Sequence, residues 1–113
     1  MRDDGWLLSA TTGTVLASLE VAATRAERRR GLRGREEFDG ALLLRPCRQV
    51  HTFGVRFPID VAFCNLDGEV VRITTLAPRR VSRPALGAAF AIEAKAGSFA
   101  RWQVSLGDTL EIT

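Results

Sequence analysis

Apolar and polar positions alternate with a period of two along most of the chain, in short runs separated by turn residues, which is the pattern of half-buried strands. Read this way, Trp6–Ala10 and Val15–Val21 form a hairpin about the Thr12-Gly13 turn. From Gly40 onward, strands are predicted at Ala41–Leu44, Gln49–Phe53, Ile59–Asn65, Glu69–Leu76, Ala88–Lys95 and Thr109–Thr113. Leu66-Asp67-Gly68 joins two β-branched runs as a hairpin turn, and Pro78–Pro84, with three arginines, reads as a solvated loop.

The period changes to that of a helix in two places. Thr24, followed three residues later by Glu27, makes a capping box, and the helix it opens is expected near residues 24–34, where Gly34 offers a stop. A shorter helix near residues 98–104 would begin at Ser98 and bury Phe99 and Trp102, three positions apart. The expected class is therefore mainly β, and 113 residues without repeat or low-complexity stretch make one domain, residues 1–113.

Composition narrows the setting. Two cysteines are too few for a secreted disulfide scaffold, and the opening MRDDGWLLSA places acids where a signal peptide needs a basic patch, so a reduced, cytoplasmic protein is expected. No apolar run approaches the roughly 20 residues of a membrane span. Residues 25–37 hold six arginines and three glutamates, a surplus equal to the whole net charge of +3. Arg28, Leu32 and Arg35 fall on one face of the predicted helix, beside a stripe of Arg25, Arg29 and Arg33. A guanidinium on the packing side of a helix needs a carboxylate or another anion, because unpaired burial is costly.

Candidate chemistry starts from the acids. Alternation sends Asp60, Ala62 and Cys64 to one face of their strand, and Ala89, Ala91 and Glu93 to one face of theirs. Two strands that each set an acid among small residues could form a shallow polar floor containing Asp60 and Glu93. The competing reading is a buried network in which these acids pair Arg28 and Arg35, with Asp60 clamped on Arg28 and Glu93 the more accessible.

Cys47 and the single histidine, His51, lie four residues apart on what reads as extended chain, roughly 13 Å from one another. That separation and the shortage of further soft ligands disfavour a zinc site, and nothing marks an oxyanion hole for a Cys-His nucleophile. The expectation is a small packed cysteine and a histidine at a pocket rim, with no metal and no cofactor. GLRG and LGD match no nucleotide-binding glycine pattern, and the arginine helix lacks the aromatic neighbours of a nucleic-acid surface, so nucleic acid is an unlikely partner.

Four stretches in order, AATRAERRRGLRGR, GALLL, FPIDVAFCNLDGEVV and EAKAGSFARWQVSLGDTLEI, resemble the DUF192 family over roughly residues 19–112. Arg28, Gly31-Leu32 and Arg35 match its helix motif, Asp60 its strand acid, Glu93 with Ala96-Gly97 its late glutamate, and Gly107-Asp108 its closing pair. Where many members carry Trp-Met-Lys-Asn-Thr, this chain has His51-Thr52-Phe53-Gly54-Val55. The resemblance implies a compact single-domain β-sandwich or barrel-like fold with flanking helices, and for function it implies little.

Three functional readings follow. The first is a binding module whose pocket, edged by His51, Asp60 and Glu93 with Arg28 or Arg35 behind, takes a small polar ligand or a protein partner's side chain. The second is a hydrolase-like enzyme with Asp60 or Glu93 as general base and His51 as acid. The third is an adaptor that docks its arginine-rich helix on an acidic partner. In every case, elemental analysis of the purified protein is expected to find no stoichiometric zinc; one zinc per chain, lost in Cys47→Ala, would contradict this.

Overall fold

The computed structural model describes residues 2–113, and the side chains from Gly5 onward. Its strands are β1 (Arg2–Ser9), β2 (Thr14–Ala22), β3 (Ala41–Leu44), β4 (Ile59–Cys64), β5 (Val70–Leu76), β6 (Phe90–Lys95) and β7 (Leu110–Ile112). Helix α1 spans Arg25–Arg30 and α2 spans Ser98–Trp102. The seven strands form one sheet in the order β5-β4-β6-β3-β2-β1-β7. Most neighbours are antiparallel, but β2 and β3 run parallel, with α1 in the crossover between them.

The sheet curls into a half-barrel until its two edges touch at one end. Val70 N donates to Asp108 O, Gly107 N to Val70 O and Leu110 N to Gly68 O, at 2.8, 2.9 and 2.8 Å. Gly68 is required there: it has φ 85°, and a Cβ would stand 2.4 Å from Leu110 O. On the other side of β7, Trp6 and Thr113 exchange backbone hydrogen bonds of 2.9 and 3.1 Å.

Both faces are covered over the middle strands β3, β4 and β6, while Trp6 of β1 and Val15 of β2 lie exposed. On one face, every strand contributes to an interior that includes Leu7, Leu19, Leu43, Cys64, Val70, Ile92 and Leu110, closed by Phe99 of α2. On the other, Leu42, Leu44, Ile59, Val61 and Phe63 pack beneath Leu32, Phe38, Val50, Val55, Phe57 and Ala85, which come from loops. With six consecutive residues of β4 buried, this central strand has no solvent face.

Several expectations need correction. Gln49–Phe53 is not a strand; it keeps only one isolated bridge, between His51 and Val81, because Thr52 turns its hydroxyl onto the loop, donating to Ala77 O at 2.6 Å and accepting from Arg80 N at 2.8 Å. The first helix keeps its capping box but ends at Arg30, not near residue 34. Gly31 takes φ 52° and ψ −128°, outside the helical region, and so ends it one turn early. Leu32 is still fully buried, but from the turn beyond the helix. The second helix is likewise shorter than expected, with Phe99 and Trp102 packed at 5.6 Å between ring centroids.

Asp60 is not clamped on Arg28. Its Oδ2 accepts from Gly97 N and Phe99 N, at 2.9 and 3.2 Å, and its Oδ1 from the Thr75 hydroxyl at 2.8 Å. It thus caps α2 from a neighbouring strand, supplying the acceptor that glycine at the helix start lacks. Arg28 instead donates through Nη1 to Ala23 O and Arg45 O, at 2.7 and 3.4 Å. Removing the buried carboxylate orphans two backbone N–H groups, so Asp60→Ala should lower unfolding stability by about 3 kcal/mol in urea titrations at pH 7. A loss below about 1 kcal/mol would show that α2 needs no such cap.

Candidate functional site

The registers decide which residues meet. Val61 and Leu42 both stand opposite Glu93, whereas Ala94 and Thr75 stand opposite Asp60. Glu93 therefore emerges on the loop-covered face and Asp60 on the interior face, so the shared floor expected for the two acids does not form. Nor is Glu93 the more accessible acid: the residues are 3% and 6% exposed respectively.

Glu93 opens into a cleft of about 260 Å³. Its walls come from α1, which contributes Arg25, Arg28 and Arg29, and from the segment after β3, which contributes Cys47, Gln49 and His51. Gly31, Leu44, Pro46 and Val50 complete the lining beside Glu93. A Cβ on Gly31 would stand 3.2 Å from Glu93 Oε1, so bare backbone at the helix end leaves room for the carboxyl.

Among the described residues the Glu93 carboxyl takes part in no hydrogen bond or ion pair. No fully buried side-chain polar atom lacks a partner, so the carboxyl is not sealed in; it retains contact with the cleft. Burial among apolar neighbours pushes its pKa up to about 7. The Cys47 thiol is also raised, first by burial, while Glu93 raises it further and Arg28 opposes. Its Sγ donates to Gln49 O at 3.3 Å, so it is a protonated donor and not a thiolate nucleophile. His51 Nδ1 accepts from Phe53 N at 3.3 Å, which leaves Nε2 to carry the proton of the neutral ring.

Of the five residues singled out from sequence, the cleft gathers Arg28, His51 and Glu93. Asp60 lies on the opposite sheet face, and Arg35 forms a two-pronged pair with Glu20, at 3.0 and 2.6 Å, over the Phe38 ring. That pair draws the Glu20 carboxyl below its ordinary range and fastens the segment after α1 to β2. Sequence reasoning left Cys47 as packing and read Arg25 and Arg29 as a neighbouring stripe; the signal for their joint role was the α1 wheel, once α1 is laid beside the segment after β3. Among the described residues no group of three or more His, Cys, Asp or Glu could share a metal ion.

The model of one family, DUF192, described as "Uncharacterized ACR", matches residues 8–112. The chain belongs to the DUF192 family. A DUF192-length match also extends to solved structures. A protein of unknown function from Novosphingobium aromaticivorans is 27% identical, with a TM-score of 0.80, over 95% of this chain and 83% of that one. A candidate transcription regulator from Sinorhizobium meliloti is 26% identical, with a TM-score of 0.78, over 95% and 90%. No curated protein matches. No helix among the described residues of this DUF192 chain is long and apolar enough to cross a membrane.

The buried carboxyl has a measurable signature. Between the ordinary value of 4.5 and about 7 the folded chain holds a proton that the unfolded chain has released. The stability from Glu93 is thus complete below pH 4.5 and is lost as pH rises through about 7. Relative to Glu93→Gln, the wild-type protein should lose on the order of 3 kcal/mol between pH 4.5 and pH 8 in denaturant unfolding. Parallel pH curves for the two proteins would contradict the burial of an unpartnered carboxyl.

Proposed function

We propose that this chain is a small binding module whose site is the cleft between α1, the segment after β3 and Glu93. One observation carries the reading: the Glu93 carboxyl is almost completely buried, has no partner among the described residues and reaches open space. A buried polar group without a hydrogen bond costs free energy, and a ligand donor placed over Glu93 would relieve that cost. Arginines on the facing wall offer the same ligand a second polar contact. The two free cysteines, Cys47 and Cys64, accord with a reducing cytoplasm, and the bacterial origin of the similar structures accords with a prokaryotic setting.

A second reading is favoured by the presence of His51 and Glu93 in one cleft: a carboxyl with a pKa near 7 is matched to general-base work on a small substrate. Binding is the stronger reading, because the Cys47 thiol beside the two groups is protonated and is not poised as a nucleophile. Docking of α1 on an acidic protein partner would use the same exposed Arg25 and Arg29.

A ligand-observed NMR screen of polar metabolites is the test, with Glu93→Gln run alongside. Binders of the wild-type protein should weaken at least tenfold in Glu93→Gln, without turnover. Hits that survive the substitution unchanged would move the site elsewhere; turnover that Glu93→Gln abolishes would replace binding with catalysis.

A further inference from the structure

The cleft is electrically polarised, and the protein itself keeps the two poles apart. Its floor is one carboxyl, Glu93, and its facing wall carries three guanidinium groups, Arg25, Arg28 and Arg29. None of the three forms an ion pair with Glu93 among the described residues. Arg28 is held back by the Ala23 and Arg45 carbonyls, while Arg25 and Arg29 lie exposed on α1. Cys47 lines the same cleft. A buried carboxyl facing cations with which it does not pair is unfavourable unless a further group bridges them.

Resting on the cleft-binding reading above, we infer that the ligand is a small zwitterion, seated with its ammonium end on Glu93 and its carboxylate end on the arginines of α1. A purely anionic ligand would be attracted to the arginine wall but would meet the Glu93 carboxyl at its other end. A purely cationic one would pair with Glu93 under three like charges. Only a molecule with both charges complements both poles. The volume of about 260 Å³ lies below the roughly 300–1,000 Å³ of drug-sized pockets, which suits a molecule of free-amino-acid dimensions.

The sign of the pH dependence separates these classes. An ammonium group requires Glu93 as carboxylate, so zwitterion affinity rises with pH through about 7 and binding releases a proton below it. An anion requires the protonated acid, and its affinity falls over the same range. The other charged or titratable groups facing the cleft are Arg25, Arg28 and Arg29 from α1 and Cys47 and His51 from the segment after β3. From the neighbouring strands β3 and β4, Leu42 and Val61 stand opposite Glu93 and Leu44 lines the cleft, all of them apolar. The series is therefore repeated in His51→Gln, to remove the histidine's own contribution.

The experiment is an NMR titration of the full chain with four-carbon probes: 2-aminobutyrate and 4-aminobutyrate as zwitterions, butylamine as cation and butyrate as anion. At least one zwitterion should bind tenfold or more tighter than butylamine and butyrate and shift the backbone resonances of Gly31, Cys47 and His51. Its affinity should rise between pH 6 and pH 8, in His51→Gln as well, and drop at least tenfold in Glu93→Gln and in Arg29→Gln. If butyrate or butylamine shifts those resonances as well as either zwitterion does, the zwitterion is overturned while the cleft remains a binding site. If no probe shifts them, both are overturned.

Discussion

A sheet whose middle strands, β3, β4 and β6, are buried on both faces governs this structure. When one face of a strand meets water, polar residues there are inexpensive and uninformative. In β4 and in all of β6 except Lys95 neither face does, so each acid in them must find a partner or remain a local liability. Asp60 finds three donors on the interior face and becomes part of the scaffold. Glu93, across one hydrogen-bonded ladder and on the other face, finds none and stands over a cleft. Similar chemistry in adjacent strands thus yields a cap in one case and a candidate site in the other.

The loops that cover the second face share in that division. They bury Val50, Val55, Phe57 and Ala85 against the sheet, and the same excursion carries Cys47 and His51 to the cleft rim. The short α1 matches this role. It buries no residue of its own, is held by its capping box and by the Arg28 contacts, and ends at a glycine that leaves space for Glu93. Its arginines are thereby presented along the cleft instead of being spent on packing.

Much of the fold could be read from local signals. The β1–β2 hairpin, the Thr24–Glu27 box and the Asn65–Glu69 turn each depend on residues within a few positions of one another, and the structure contains all three. The site was legible only in part. Alternation within a strand separates its two faces but cannot say which face of β4 matches which face of β6; that depends on the register pairing Val61 with Glu93, set by contacts about thirty residues apart. The mistaken common floor for Asp60 and Glu93 arose there. The helix end was misplaced for a similar reason, since Gly31 leaves the helical region beside a glutamate that sequence distance hides. Arg35, carried past the helix, met Glu20, a residue with no sequence signature of a partner.

The pairing of Trp6 with Thr113 bears on how the chain folds. Strand β1 lies between β2 and β7, one place in from the edge of the sheet, and β7 is farther from it in sequence than any other strand. The β1–β2 hairpin can zip locally, but β1 keeps an unsatisfied edge until β7, about a hundred residues further along, docks on it. Closing so long a loop is entropically slow, and the interior lined by Leu7, Leu19 and Val70 stays open to water meanwhile. Until then the bare edge of β1 is a template for pairing with another chain, and β7 is the latch that closes it.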